Sequence, residues 1–185
     1  MRLFVAVTLG KTIESEATAA LQRLKGLAPR VRWVPPANLH LTLSFLGEVE
    51  AERLPAVKDA LMGVGPKHAP LVLTIEGGGS FGSPSHPRVL WAGVGGDTKA
   101  LGALQADVAG ALKPLGFEPE HREYAAHLTL ARAKVPRGDR ELAECVRALQ
   151  DAKWGEARVD RLVLFESLGG QYHSRAEVPL APTMQ

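Results

Sequence analysis

Apolar and polar positions along the chain run twice through the same order of elements. Residues 2–9 (RLFVAVTL) are an apolar, β-branched run as long as a buried strand. Ile13, Ala17, Leu21 and Leu24 then recur at helical spacing. Thr12 stands where an N-cap belongs, and Glu14 and Glu16 suit the positive end of the helix dipole. Val31–Val34 predicts a short strand stopped by Pro35-Pro36, and Leu39–Leu46 a longer one ended by Gly47. A second helix is expected around residues 51–64, with Leu54, Val57, Leu61 and Val64 on one face. Leu71–Ile75 predicts a strand running into Gly77-Gly78-Gly79, where a flexible turn and a loop through GSPSHPR are expected.

The pattern then restarts. Arg88–Val94 (RVLWAGV) predicts a strand, and Asp97 caps a helix carrying Leu101, Leu104, Val108, Ala111 and Leu115, closed by Gly116. A strand follows at His127–Leu130. Asp139 opens a fourth helix with Leu142, Val146 and Leu149, and Arg158–Phe165 and Ala176–Leu180 predict the last strands. Both rounds contain the tetrapeptide HLTL, at His40–Leu43 and His127–Leu130. Arg2 lies 38 positions before the first copy and Arg88 lies 39 before the second. Matching flanks at nearly equal offsets indicate an internal duplication. One domain over 1–185 is expected, made of two pseudo-symmetric lobes of about 1–80 and 81–185, with room for strands to be exchanged between them.

In a strand, alternate side chains point to opposite faces. His and Thr of each HLTL therefore share one face while the leucines enter the core. Two lobes related by an approximate twofold axis can bring both His/Thr faces to one cleft. Two imidazoles suit a reaction that needs a general base and a general acid together, because one can be neutral while the other is protonated. Phosphodiester hydrolysis is such a reaction, with threonine hydroxyls available to the non-bridging oxygens. Arg132, two residues past the second copy, has the planar fork that matches phosphate. Strict alternation would put it on the leucine side, so it reaches the cleft only where the strand bulges or ends.

Composition narrows the picture little. The 185 residues are 45% apolar and 23% charged, with a formal net charge of +2 and a pI near 8.8, which suits an anionic substrate. No Lys/Arg block marks a nucleic-acid tail. Cys145 is the only cysteine, which leaves no intramolecular disulfide and no cysteine-based zinc site. The N-terminus lacks the features of a signal peptide and no run approaches a membrane span, so a cytoplasmic protein is expected.

The stretch WVPPANLHLTLSFLG, the start MRLFVAV, the segment RVLWAGV and the second motif HLTLAR together resemble the two-histidine (2H) phosphoesterases. Within these they resemble the bacterial and archaeal RNA 2′,3′-cyclic phosphodiesterases, also called 2′-5′ RNA ligases. The resemblance implies a bilobal α+β fold, with two antiparallel sheets lining a central cleft and helices outside. It implies metal-independent opening of a 2′,3′-cyclic phosphate to a 2′-phosphomonoester, with no cofactor. His40 would be the proton donor and His127 the proton acceptor, with Thr42, Thr129 and Arg132 as phosphate ligands. RNA ends or nucleotides bearing the cyclic phosphate would be the partners of a monomer. The same site could join ends through a 2′-5′ linkage, since a catalyst lowers both barriers equally.

Other readings carry less. His68, His86, His121 and His173 fall in loops or near turns and read as solvated. Trp33 could stack on a base, although an aromatic there is more often core. Gly77–Gly79 lacks the Gly-Lys-Ser/Thr of a phosphate loop. No carboxylate or cysteine recurs beside either HLTL to complete a zinc shell. A binding module without turnover would not need both histidines.

Overall fold

The computed structural model describes residues 1–182. Its strands are β1 (Arg2–Thr8), β2 (Arg32–Trp33), β3 (His40–Glu48), β4 (Leu71–Gly82), β5 (Pro87–Gly96), β6 (His127–Arg132), β7 (Lys153–Val159), β8 (Arg161–Leu168) and β9 (Gln171–Pro179). The helices are α1 (Gly10–Leu27), α2 (Leu54–Met62), α3 (Thr98–Leu112) and α4 (Glu141–Leu149). One sheet has the order β3-β1-β8-β9 and the other β2-β6-β5-β4-β7, with every pairing antiparallel. The fold is α+β.

The two rounds of elements correspond, yet each contributes to both sheets. β1 and β3 build the first sheet, while β4 from the same round pairs with β5 in the second. Reciprocally, β8 crosses back to pair with β1. The helices cross as well. α1, which follows β1, packs on β7 and α4 against the second sheet, and α3, which follows β5, packs on β3 and α2 against the first. A cut near residue 80 would pass through β4. The apolar positions read from the sequence enter a core formed from both rounds, including Ile13, Ala17, Leu21 and Leu24 of α1 and Leu101, Leu104 and Val108 of α3.

Several local expectations are corrected. α1 starts at Gly10, two residues before Thr12, and has no side-chain cap and no acidic residue in its first turn. Buried Leu9 carries the chain straight from β1 into the helix, so Thr12 lies inside it. Asp97 holds the N-cap position of α3 as expected, but its carboxylate accepts the Val72 N–H (2.8 Å), tying the helix start to β4, and makes no capping bond to the helix. Gly47 does not end β3, which continues to Glu48. The expected strand Arg158–Phe165 is two strands, because the chain leaves one sheet for the other at Asp160.

Gly77–Gly79 are strand residues within β4 and not the flexible turn expected there. A Cβ on Gly79 would sit 2.5 Å from the Trp91 ring, and one on Gly78 would sit 2.8 Å from the Trp91 carbonyl oxygen and from Leu149. Glycine is present so that the indole can lie across the strand. Trp33 is also placed: it pairs with buried Ala131, packs against the core, and its Nε1–H donates to the Ala28 carbonyl (2.9 Å). It therefore faces away from the histidines. No helix among the described residues is long and apolar enough to cross a membrane.

Candidate active site

Each HLTL lies on a strand whose leucines are buried and whose His and Thr are half-exposed, as period-two alternation requires. β3 and β6 belong to different sheets and lie against each other, which brings the two copies together. The Tyr124 hydroxyl strengthens this contact by donating to the Thr42 carbonyl (3.1 Å).

The two imidazoles are held alike. His40 Nδ1 is 2.7 Å from the Asn38 carbonyl and His127 Nδ1 is 2.9 Å from the Ala125 carbonyl, in each case two residues back along the chain. A carbonyl only accepts, so both Nδ1 atoms carry the proton and both Nε2 atoms are left for chemistry. His40 Nε2 lies 3.0 Å from Thr42 Oγ1. In the neutral ring the hydroxyl donates to it; in the protonated ring it donates to the hydroxyl.

The surroundings differ. His40 sits among aromatic rings, with Phe4 at 5.0 Å and Tyr172 edge-on at 5.3 Å between centroids. His127 meets Phe81 edge-on at 4.9 Å. Burial lowers the His40 pKa below the usual imidazole value; the bond to the Asn38 carbonyl opposes this, and the Arg132 charge adds to it. Since Arg132 is on β6 and His40 on β3, that field acts across the space between the sheets.

Arg132 is at the site because β6 bulges. Against β5, Thr129 pairs with Trp91 but Ala131 pairs with Leu90, so Leu130 is skipped. The burial order along His127–Arg132 changes at that point: both Leu130 and Ala131 are buried, and Arg132 returns to the face of His127 and Thr129. The first copy does the same. Against β1, Thr42 pairs with Ala6 but Ser44 pairs with Val5, so Leu43 is skipped and Phe45 rejoins the His40 face, 64% exposed. Phe45 is therefore the counterpart of Arg132 at the sixth position of HLTLSF and HLTLAR. One wall of the site ends in an aromatic ring, the other in a guanidinium.

Sequence reasoning missed Phe4, Phe165 and Tyr172, which line the His40 side. The apolar run containing Phe4 carries no alternation, and only the register assigns that ring to the His40 face. The other histidines stand apart: His68 pairs with Asp107 (2.6 Å), His86 is in the β4–β5 turn, and His121 and His173 are exposed. Among the described residues, no three His, Cys, Asp or Glu side chains gather as metal donors.

A family model described as LigT like phosphoesterase matches residues 8–91 and 95–171. The RNA 2′,3′-cyclic phosphodiesterase of Archaeoglobus fulgidus is 38% identical over 168 residues, which is 91% of this chain and 92% of that protein. The enzyme of the same name from Methanothermobacter thermautotrophicus is 33% identical, with 90% of each chain covered. Two solved structures share the fold end to end. TT0787 of Thermus thermophilus aligns over 100% of both chains with a TM-score of 0.77 at 26% identity. Escherichia coli LigT, solved with 3′-AMP, aligns over 97% of each chain with a TM-score of 0.75 at 26% identity.

Proposed function

The chain belongs to the LigT-like phosphoesterase family, and we propose that it opens a terminal 2′,3′-cyclic phosphate on RNA to a 2′-phosphomonoester by two-histidine acid–base catalysis. The observation that carries this reading is the matched pair of imidazoles, each with Nδ1–H held by a carbonyl two residues back, Nε2 left for chemistry and a threonine on the same strand face, which for His40 lies 3.0 Å from Nε2. The names of the curated relatives supply the substrate class.

The reaction assigns one proton to each ring. His127 Nε2, unprotonated, takes a proton from water as the water oxygen attacks phosphorus. The bond from phosphorus to O3′ breaks, and His40 Nε2–H gives its proton to O3′. The product carries a 2′-phosphate and a free 3′-hydroxyl. An RNA 5′-hydroxyl attacking in place of water would form a 2′-5′ linkage through the same transfers. The lowered His40 pKa opposes the protonated form that a donor needs. A bound phosphate adds negative charge next to this ring and shifts its pKa back up, so His40 becomes a donor when substrate is present. Phe45 offers an exposed face on which the terminal base can stack.

The direct test is a short RNA ending in 2′,3′-cyclic phosphate, with product identified by resistance to enzymes that need a free 2′-hydroxyl beside the phosphate. Turnover is expected to persist in excess EDTA. Loss on chelation with recovery by one divalent ion would replace this mechanism with a metal-activated hydroxide, and a 3′-phosphate product would reverse the bond assignment.

The threonines give a narrower prediction. Thr42→Val and Thr129→Val keep the shape and remove the hydroxyl, so turnover should fall on the order of 10² for each with little change in Tm. Thr42→Val also removes the partner of His40 Nε2. A wild-type rate in both variants would take the hydroxyls out of phosphate binding.

A further inference from the structure

The second sheet does not end its cationic character at Arg132. Residues 132–140 (RAKVPRGDR) contain Arg132, Lys134, Arg137 and Arg140, and the fold adds Arg30 and His86. Arg30, His86, Lys134, Arg137 and Arg140 line one open hollow of about 480 Å³. The carboxylate that lines it, Asp139, and its neighbour Glu141 are already engaged. Asp139 and Glu141 both pair with Arg30, at 3.4 and 3.2 Å, and Asp139 also accepts the Glu141 N–H at the start of α4. Among the described residues Lys134, Arg137 and Arg140 have no carboxylate partner.

The hollow continues the line of the site. Along β5, His127 pairs with Gly93, Thr129 with Trp91 and Arg132 with Val89. The loop after β6 is then pinned at both ends to the next residues of the same strand. Ala133 N–H donates to the Arg88 carbonyl (2.8 Å) and Asp139 N–H to the Pro87 carbonyl (2.9 Å). Two residues of strand separate Val89 from Pro87, about 7 Å. Between its ends the loop is seated tightly: Gly138 has φ +87° and lies so close to the His86 carbonyl that no Cβ fits. Arg32, paired directly with Arg132 across β2 and β6, adds a like charge on the same face where such pairing is unfavourable in isolation. The arrangement is a held group of cations, seated one strand step beyond the Arg132–Val89 pair at the end of β5.

We infer that this hollow binds the sugar-phosphate backbone upstream of the reacting nucleotide, so that the preferred substrate is single-stranded RNA several nucleotides long and not a mononucleotide. The inference rests on the proposed cleavage of RNA-terminal cyclic phosphate, because it supplies the chain to which that end is attached. Mononucleotides fill only the cleft and do not sense the hollow; oligonucleotides reach both.

The experiment combines Lys134→Ser, Arg137→Ser and Arg140→Ser in one variant. Two readouts are taken: turnover of a nucleoside 2′,3′-cyclic phosphate, and binding of a fluorescent single-stranded RNA of about ten nucleotides ending in a 3′-phosphate. Mononucleotide turnover should stay within about twofold of wild type, which also reports that the variant is folded. RNA affinity should fall at least about tenfold at low salt. The slope of log affinity against log salt should flatten by roughly 2, since each lost phosphate contact contributes about 0.7 on single strands. Unchanged RNA affinity and salt slope would overturn the inference, as would equal losses for mononucleotide and RNA. A wild-type protein that binds RNA through the hollow but turns over no cyclic phosphate would count against the two-histidine reading alone, because the binding readout is independent of turnover.

Discussion

Replacing either His40 or His127 by alanine is expected to lower kcat on a 2′,3′-cyclic phosphate by about 10²–10⁴, the usual range for a general acid or base. Each ring serves a different proton transfer, so neither can cover for the other. The double variant should be little slower than the poorer single, because groups that act as a unit lose their joint effect once either is gone. The controls follow from the packing. His40 touches Phe4 and Tyr172, and His127 touches Phe81, so alanine also removes ring contacts of about 0.5–1.5 kcal/mol. His40→Asn and His127→Asn retain more of the volume and separate lost chemistry from lost packing. A near-wild-type rate in any of the four would remove that histidine from the reaction.

The outline of this site was legible because a duplication makes the sequence its own comparison. HLTL recurring between matching strands fixed which residues share a face, and alternation did the rest. What resisted reading was whatever depends on register between strands distant in the chain. The skipped residues Leu43 and Leu130 leave no local mark, yet they decide that Phe45 and Arg132 face the site. The same holds at Asp160, a single residue at which the chain changes sheets. It holds also at Gly77–Gly79, whose composition signals a turn although the reason for glycine is the Trp91 ring on the neighbouring strand. The basic loop was hidden differently: its cations are interspersed with Ala, Val, Pro and Asp, and only the fold brings Arg30 beside them. The equal offset of Phe45 and Arg132 within their motifs was available in the sequence, and it is the signal that would have paired them.

Arg132 combines two effects that substitution can separate. As a planar fork it can hold two phosphate oxygens; as a charge it acts on His40 from across the site and lowers that pKa. Arg132→Gln removes both. Turnover should then fall on the order of 10², while the His40 imidazole, followed by NMR, should titrate at a higher pH than in the unliganded wild type, since a positive neighbour disfavours protonation. Arg132→Lys retains the charge and loses the fork, so turnover should still fall but the His40 titration should stay close to wild type. Burial is the larger cause of the lowered His40 pKa and persists in both variants, so even in Arg132→Gln the ring should remain below the ordinary imidazole value. If Arg132→Gln left both the rate and the His40 titration unchanged, the bulge at Leu130 would bring the guanidinium to the face of the site without bringing it to the phosphate.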